Sequence, residues 1–204
     1  VQQCLQDARS EGAEVALLFA PERALYRRLG FVPAGTERMT LIESESPAPP
    51  GGKVRAGDAR DVLDLLGMLA QHALRVERSL EEFEALLGIP GVHVYVLERQ
   101  GRPAAYCVEG KGRDLRGVIH EWGGVGSDVR ELLKTVAEGL PGATYVLSPG
   151  AGPPPVEGRS ITQTFAQIRV LRPERFGGQD PVHIFGDPKT PSRLPIYMWG
   201  LDSV

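Results

Sequence analysis

Apolar positions recur at helical spacing through the first eleven residues: Val1, Cys4, Leu5 and Ala8, with Gly12 after them. That i, i+3, i+4, i+7 pattern predicts the tail of a helix over 1–11. Val15-Ala16-Leu17-Leu18-Phe19-Ala20 is apolar throughout, as expected of a strand covered on both faces. The segment from Pro21 to Phe31 then predicts a short helix. Pro21 suits the first helical position, where a missing N–H is no loss. Glu22 favours the positive end of the helix dipole, and Arg27 and Arg28 the negative end. Gly30 can take the left-handed conformation that ends the helix. Leu25 and Leu29 share a face, with Tyr26 beside them. On this pattern alone Tyr26 is a packing aromatic of an amphipathic connector. Residues 37–43 predict another strand, with Met39 and Leu41 on one face.

Residues 44–52, Ser-Glu-Ser-Pro-Ala-Pro-Pro-Gly-Gly, are the best linker in the sequence. Beyond it, 53–56 predicts a strand. Asp58 is the expected cap of a helix running to about Arg78, with Val62, Leu65, Leu66, Leu69, Ala73 and Val76 on its buried side. Ser79-Leu80-Glu81-Glu82 is a capping box that opens the next helix, which Pro90-Gly91 ends. Alternating runs at 92–98, 103–109 and 116–122 predict an antiparallel meander. Ser127 and Asp128 start a helix over 127–139, with Val129, Leu132, Leu133 and Val136 on its core face, and 143–147 predicts a strand alongside. A loop rich in Pro and Gly spans 149–158. Strand-like pieces follow at 166–170, 182–185 and 194–199, and the apolar ending through Tyr197 and Trp199 is expected to dock.

With 204 residues, the chain has room for one large domain or two small ones. Its net charge of −3 argues against a nucleic-acid partner, which needs clustered Lys and Arg. No apolar run approaches the roughly 20 residues that span a bilayer, so no membrane partner is expected. Cys4 and Cys107 lack metal spacing and suggest reduced thiols in the cytoplasm. The histidines, at 72, 93, 120 and 183, are scattered, so no metal site is expected. Nucleophile-elbow, P-loop and dinucleotide motifs are missing. The first residue is Val, as in a processed chain or one without its natural start.

A buried strand followed at once by a Tyr-bearing helix that closes on Gly30-Phe31 resembles the GNAT superfamily of acyl-CoA-dependent N-acetyltransferases. The element order from residue 53 onward is also similar to that family. The resemblance implies an α/β fold with a GNAT-like mixed sheet flanked by helices, present as one partial and one complete divergent copy. Residues 1–43 would be the C-terminal part of a first GNAT domain, 44–52 a linker, and 53–204 a second domain, as in tandem-domain proteins of this kind. The strand at 15–19 would then lack its expected neighbour, an edge to be covered by the second unit, by another chain, or left prone to aggregation.

The implied activity is direct transfer of an acetyl group from acetyl-CoA, as co-substrate, to a small-molecule or peptide amine. Tyr26 would be the general acid for the departing thiolate, with Phe19, Ala20 and Tyr26 against the cofactor. In the second copy, Gly123-Gly124-Val125-Gly126-Ser127-Asp128 stands where the family's pyrophosphate loop lies, making Gly124 and Gly126 candidate cofactor contacts. The family's leading Arg or Gln is absent there, and Asp128 can instead cap the helix and take up those N–H groups. Glu121, in His120-Glu121-Trp122, lies near where the family places a base for the substrate amine. Strand alternation alone also allows Glu121 to meet an Arg or a backbone N–H on the face opposite His120 and Trp122. Two other readings remain open: a non-catalytic GNAT-like module that binds a ligand or regulates, and a structural dimerisation domain; a homodimer is possible on any of the readings.

Overall fold

The computed structural model describes residues 1–20, 23–43, 51–113, 115–185 and 194–202. In chain order the elements are α1 (Gln2–Ser10), β1 (Val15–Leu18), α2 (Arg23–Arg27), β2 (Val32–Leu41), β3 (Lys53–Ala56), α3 (Val62–Leu69) and α4 (Leu80–Leu87). Then follow β4 (His93–Arg99), β5 (Arg102–Glu109), β6 (Val118–Gly124), α5 (Gly126–Gly139), β7 (Tyr145–Pro149) and β8 (Ser160–Val170). A 3₁₀ turn at Pro173–Phe176 and α6 (Pro181–Phe185) complete the set. The linker expected at 44–52 lies outside the described residues except for its last two positions, as do Pro21 and Glu22 of the expected helix start.

The chain forms two compact units, 1–37 with 162–197, and 38–161 with 198–204. This division does not coincide with a boundary at 44–52. The reason lies in strand pairing. β8 runs antiparallel to β1, with Val15 opposite Val170 and Leu18 opposite Gln167. A segment more than a hundred residues downstream therefore supplies the neighbour that the sequence left open for β1. Strand order in the first unit is β1-β8-β2, and β1 is the edge strand. Ala34, Ile168, Ile184 and Phe185 form the core on one side, and Leu5, Phe31 and Leu171 form a smaller cluster. Gly35 has φ +65°, and a Cβ there would sit 2.5 Å from the Ile196 carbonyl oxygen, so only glycine fits that crossing.

In the second unit the order is β2-β7-β6-β5-β4-β3, where β2 contributes its last residues. β4, β5 and β6 form the expected antiparallel meander, with Tyr95 opposite Cys107 and Cys107 opposite Trp122. α5 lays Val129, Leu132, Leu133 and Val136 onto Leu97, Ala105, Cys107, Ile119 and Val146. This is the apolar face read from the sequence, and its burial supplies most of what holds the helix. The Ser79 capping box is present: the Ser79 hydroxyl accepts from Glu82 N at 3.2 Å, and the Glu82 carboxylate accepts from Ser79 N at 2.7 Å.

Three local expectations differ. The helix expected to reach Arg78 stops at Leu69. Residues 72–78 instead spend their polar groups on other elements of the second unit: His72 on β6, Leu74 O on the Trp199 indole, and Arg78 on Glu121. At the start of that helix Asp61, not Asp58, holds the N-cap position, but its carboxylate makes no cap bond: it accepts from Asp58 N and pairs with Arg55 at 2.6 Å. Residues 182–185 are helical, and 194–199 belong to no strand.

Candidate functional site

Tyr26 lies on α2, in the first unit. It is half-buried and packs edge-on against Phe31, with ring centroids 6.0 Å apart. Leu29, Ala16 and Leu18 border the same cluster. The chain leaves β1 through Phe19 and Ala20. Phe19 is 45% exposed and meets Phe165 edge to face at 5.2 Å. The Ala20 carbonyl accepts a hydrogen bond from the Gln167 side chain at 3.0 Å, which pins the end of β1 to β8. Gly30 has φ +79°, and the N–H of Phe31 returns to Tyr26 O at 3.1 Å, so the expected glycine stop fixes where Tyr26 sits.

The other candidates, Glu121, Gly124 and Gly126, belong to the second unit. Here β6 and β7 run parallel and pair at only two positions, Val118 with Tyr145 and Ile119 with Val146. Beyond Ile119 the two strands fork. The fork is filled. The Trp122 indole N–H crosses to Leu147 O at 3.0 Å. Trp199 stands edge-on to Trp122 at 5.4 Å and tilted on His72 at 4.6 Å, and its own indole N–H donates to Leu74 O. The Gly200 N–H donates to His120 O at 3.1 Å, so residues 198–202 attach to the β6 backbone.

Glu121 is fully buried, and both of its oxygens are engaged. Oε2 takes Arg78 at 2.7 Å; Oε1 takes Arg78 at 3.1 Å and the Tyr106 hydroxyl at 3.1 Å. Arg78 also holds both oxygens of Asp202. Burial raises the Glu121 carboxyl above its ordinary range, while Arg78 and Tyr106 pull it back. Of the two sequence readings of Glu121, the geometry supplies the one in which it meets an Arg. His120 is also fully buried. Its Nε2–H donates to Gly110 O at 2.9 Å, and its Nδ1 has no partner. Burial above all, opposed by that hydrogen bond and helped by Lys111 and Arg78, pushes its pKa down to about 4. Neither Arg78 nor Asp202 stood out in the sequence. The one signal was position: a cation directly before the capping-box serine, and a carboxylate inside an apolar ending.

Gly124 and Gly126 do different things. Gly124 has φ +125°, and a Cβ there would lie 2.6 Å from Ala104 O, so glycine is needed for close approach of β6 to β5. Gly126 is the first residue of α5 and faces open space. The helix N-cap is Val125, with no side-chain cap. Asp128 therefore does not cap. Its carboxylate turns to Arg99 at 2.8 Å, beside Glu131, which takes the same guanidinium at 2.6 Å and the Gly52 N–H. The two carboxylates lie on one side of the α5 start, with a single Arg between them. Among the described residues, no group of His, Cys, Asp and Glu could hold a metal ion, and no helix is long and apolar enough to cross a membrane.

No family model matches the sequence, and no curated protein matches it. Solved structures do. A GCN5-related N-acetyltransferase from Kribbella flavida superposes with a TM-score of 0.58 at 15% identity, over 84% of this chain and 46% of that one. One from Anabaena variabilis gives 0.56 at 14%, over 83% and 49%. A conserved protein from Enterococcus faecalis, described as a probable N-acyltransferase, gives 0.58 at 15%, over 84% and 48%. The chain thus spans about half the length of these structures. At such identity the likeness is one of architecture, and that architecture is the fold of GCN5-related N-acetyltransferases.

Proposed function

We propose that this chain is part of an acetyl-CoA-dependent N-acetyltransferase that acts on an amine by direct transfer. The observation that carries the reading is the position of Tyr26: on the first helix after β1, held by the Gly30 stop, in a chain with an N-acetyltransferase fold. Direct transfer requires a neutral amine to attack the thioester carbonyl. The carbon–sulfur bond then breaks, and the departing thiolate takes a proton. The Tyr26 hydroxyl supplies that proton in this reading. The proton shed by the acylated nitrogen passes to solvent, from which Tyr26 is reprotonated, and Phe19 and Ala20 border the cofactor. Tandem GNAT copies, one partial at 1–43 and one complete after 53, remain part of the proposal.

The second unit favours the alternative, a GNAT-like module without turnover. Its fork is occupied by Trp122 and Trp199, Glu121 is committed to Arg78, and Asp128 and Glu131 flank the α5 start. A carboxylate about 4 Å from a phosphate near a surface costs roughly 4 kcal/mol before screening, and Arg99 offsets part of it. On the combined reading, this chain alone binds acetyl-CoA weakly and acetylates poorly. Calorimetric titration of acetyl-CoA into the chain, with thiol release assayed against a generic amine, tests both. Micromolar affinity with turnover would move the active site to the second unit. Absence of turnover in the natural protein, under conditions where it binds acetyl-CoA, would establish the module.

A further inference from the structure

We propose that Gln167 and Arg169 of β8 are positioning residues for Tyr26: they grip the main chain on either side of α2 and so fix where the Tyr26 hydroxyl stands. The proposal rests on the reading of Tyr26 as proton donor to the departing thiolate. It adds the two side chains that aim this donor. They come from 147 and 140 residues beyond the carbonyls they hold.

The register of β8 divides its side chains between two faces. Gln167 lies opposite Leu18, and Arg169 opposite Ala16. Residues directly opposite in an antiparallel pair share a face. Ala16 and Leu18 belong to the cluster that holds Tyr26 and Phe31. The alternate positions, Ile168 and Val170, go with Leu17 and Val15 into the other cluster, around Ala34. β8 is therefore polar on the Tyr26 face and apolar on the opposite one. Gln167 is 4% exposed, and its amide donates to Ala20 O at 3.0 Å, ahead of α2. Arg169 is half-buried and donates to Leu29 O at 2.7 Å, just after α2. That second bond lies one residue from Tyr26 in the hydrogen-bond chain. The Leu29 N–H donates to Tyr26 O at 2.9 Å, and the Phe31 N–H reaches the same oxygen at 3.1 Å.

Two features separate this pair from ordinary packing. α2 has only five residues, too few to hold itself, so contacts from outside must place it. Among the described residues Arg169 forms no ion pair; its guanidinium goes to a main-chain oxygen instead. A buried amide and a half-buried cation directed at carbonyls carry a desolvation cost that apolar side chains of the same size would avoid. What the two bonds supply is direction. Each ties one end of the α2 segment to a strand of the sheet. Proton donation is sensitive to such placement, since an error of about 1 Å can cost about 10²-fold in rate.

A double-mutant cycle in the natural protein tests the pair, read by thiol release with the best acceptor among alkylamines, benzylamine and a lysine peptide. Gln167→Met and Arg169→Met remove the donors at similar length. Each is expected to lower kcat about tenfold, with KM for acetyl-CoA within about twofold and the melting temperature within about 3 °C. In a Tyr26→Phe background neither should lower kcat further, because no hydroxyl remains to be aimed. If one Met variant fails to fold, the other carries the same comparison. Hydrogen exchange adds a reading that needs no activity. The Leu29 and Phe31 amides should exchange about tenfold faster in Arg169→Met, and that of Ile168 should not. Unchanged exchange at Leu29 and Phe31, unchanged kcat in a folded Met variant, or losses that multiply with Tyr26→Phe would overturn the positioning role and leave Tyr26 as the acid. Undiminished turnover in Tyr26→Phe, or no turnover of the unaltered protein with any acceptor, would overturn the acid reading itself and the positioning role with it.

Discussion

Arg78 grips Glu121 through two guanidinium nitrogens, at 3.1 and 2.7 Å, with 2% of the Arg side chain and none of the Glu side chain exposed. The same guanidinium reaches Asp202, so one cation answers two carboxylates. Removing it leaves both acids without that cation, Glu121 keeping only the Tyr106 hydroxyl. Arg78→Ala is expected to destabilise the second unit by about 3–5 kcal/mol, whereas Arg78→Met with Glu121→Leu should cost less. Urea unfolding followed by Trp fluorescence checks this; equal losses in the two variants would refute it.

His120 sets a pH dependence. Its pKa is down to about 4 in the fold and near 6.5 in an unfolded chain. The unfolded state therefore binds more protons between those values. The stability this buried neutral imidazole contributes is full above about pH 6.5 and is lost as pH falls toward 4, by about 3 kcal/mol in all. Glu121, with its raised carboxyl, acts in the opposite sense, gaining stability as it takes up a proton in the fold. The difference in pH slope between the native chain and His120→Gln isolates the histidine. Parallel slopes from pH 7 to 5 would disprove the assignment.

The two candidate glycines should part company. Gly124→Ala combines a positive φ with a contact at 2.6 Å, and should cost about 2 kcal/mol or more. Gly126→Ala enters open space at the first turn of α5, and should be neutral or stabilise by about 0.5 kcal/mol. Thermal melts of the two variants decide. A Gly126→Ala chain that is stable but has lost acetyl-CoA affinity would show that the cofactor sits at the α5 start after all.

Tyr26→Phe separates chemistry from packing. The ring contact with Phe31 survives the change, so stability should move by less than about 1 kcal/mol. In the natural protein, turnover should fall by about 10²-fold with acetyl-CoA affinity nearly unchanged. Undiminished turnover would leave Tyr26 as a packing aromatic.

Much of the second unit was legible because its signals are local. Alternation gave the meander, Ser79 and Glu82 gave a helix start, and the four apolar residues of α5 gave its buried face. What could not be read depends on partners distant in sequence. Residues 72–78 have helical composition, yet His72 and Arg78 are drawn to β6, a competition no window of sequence contains. Asp128 carries a capping residue's chemistry and is taken by Arg99. Tyr26 and Glu121 each stood out in the sequence, but the chain divides them between two units.

The pairing of β1 with β8 has a consequence for synthesis. Val15 emerges from the ribosome before Val170, its partner, which follows only after the whole 38–161 segment has been made. The second unit can therefore collapse while the first is still an unfinished edge carrying Val15, Leu17 and Phe19. Closing so distant a pair is slow, since a long loop must be ordered before any contact rewards it. In the interval that apolar strand is the place where a nascent chain would meet a chaperone.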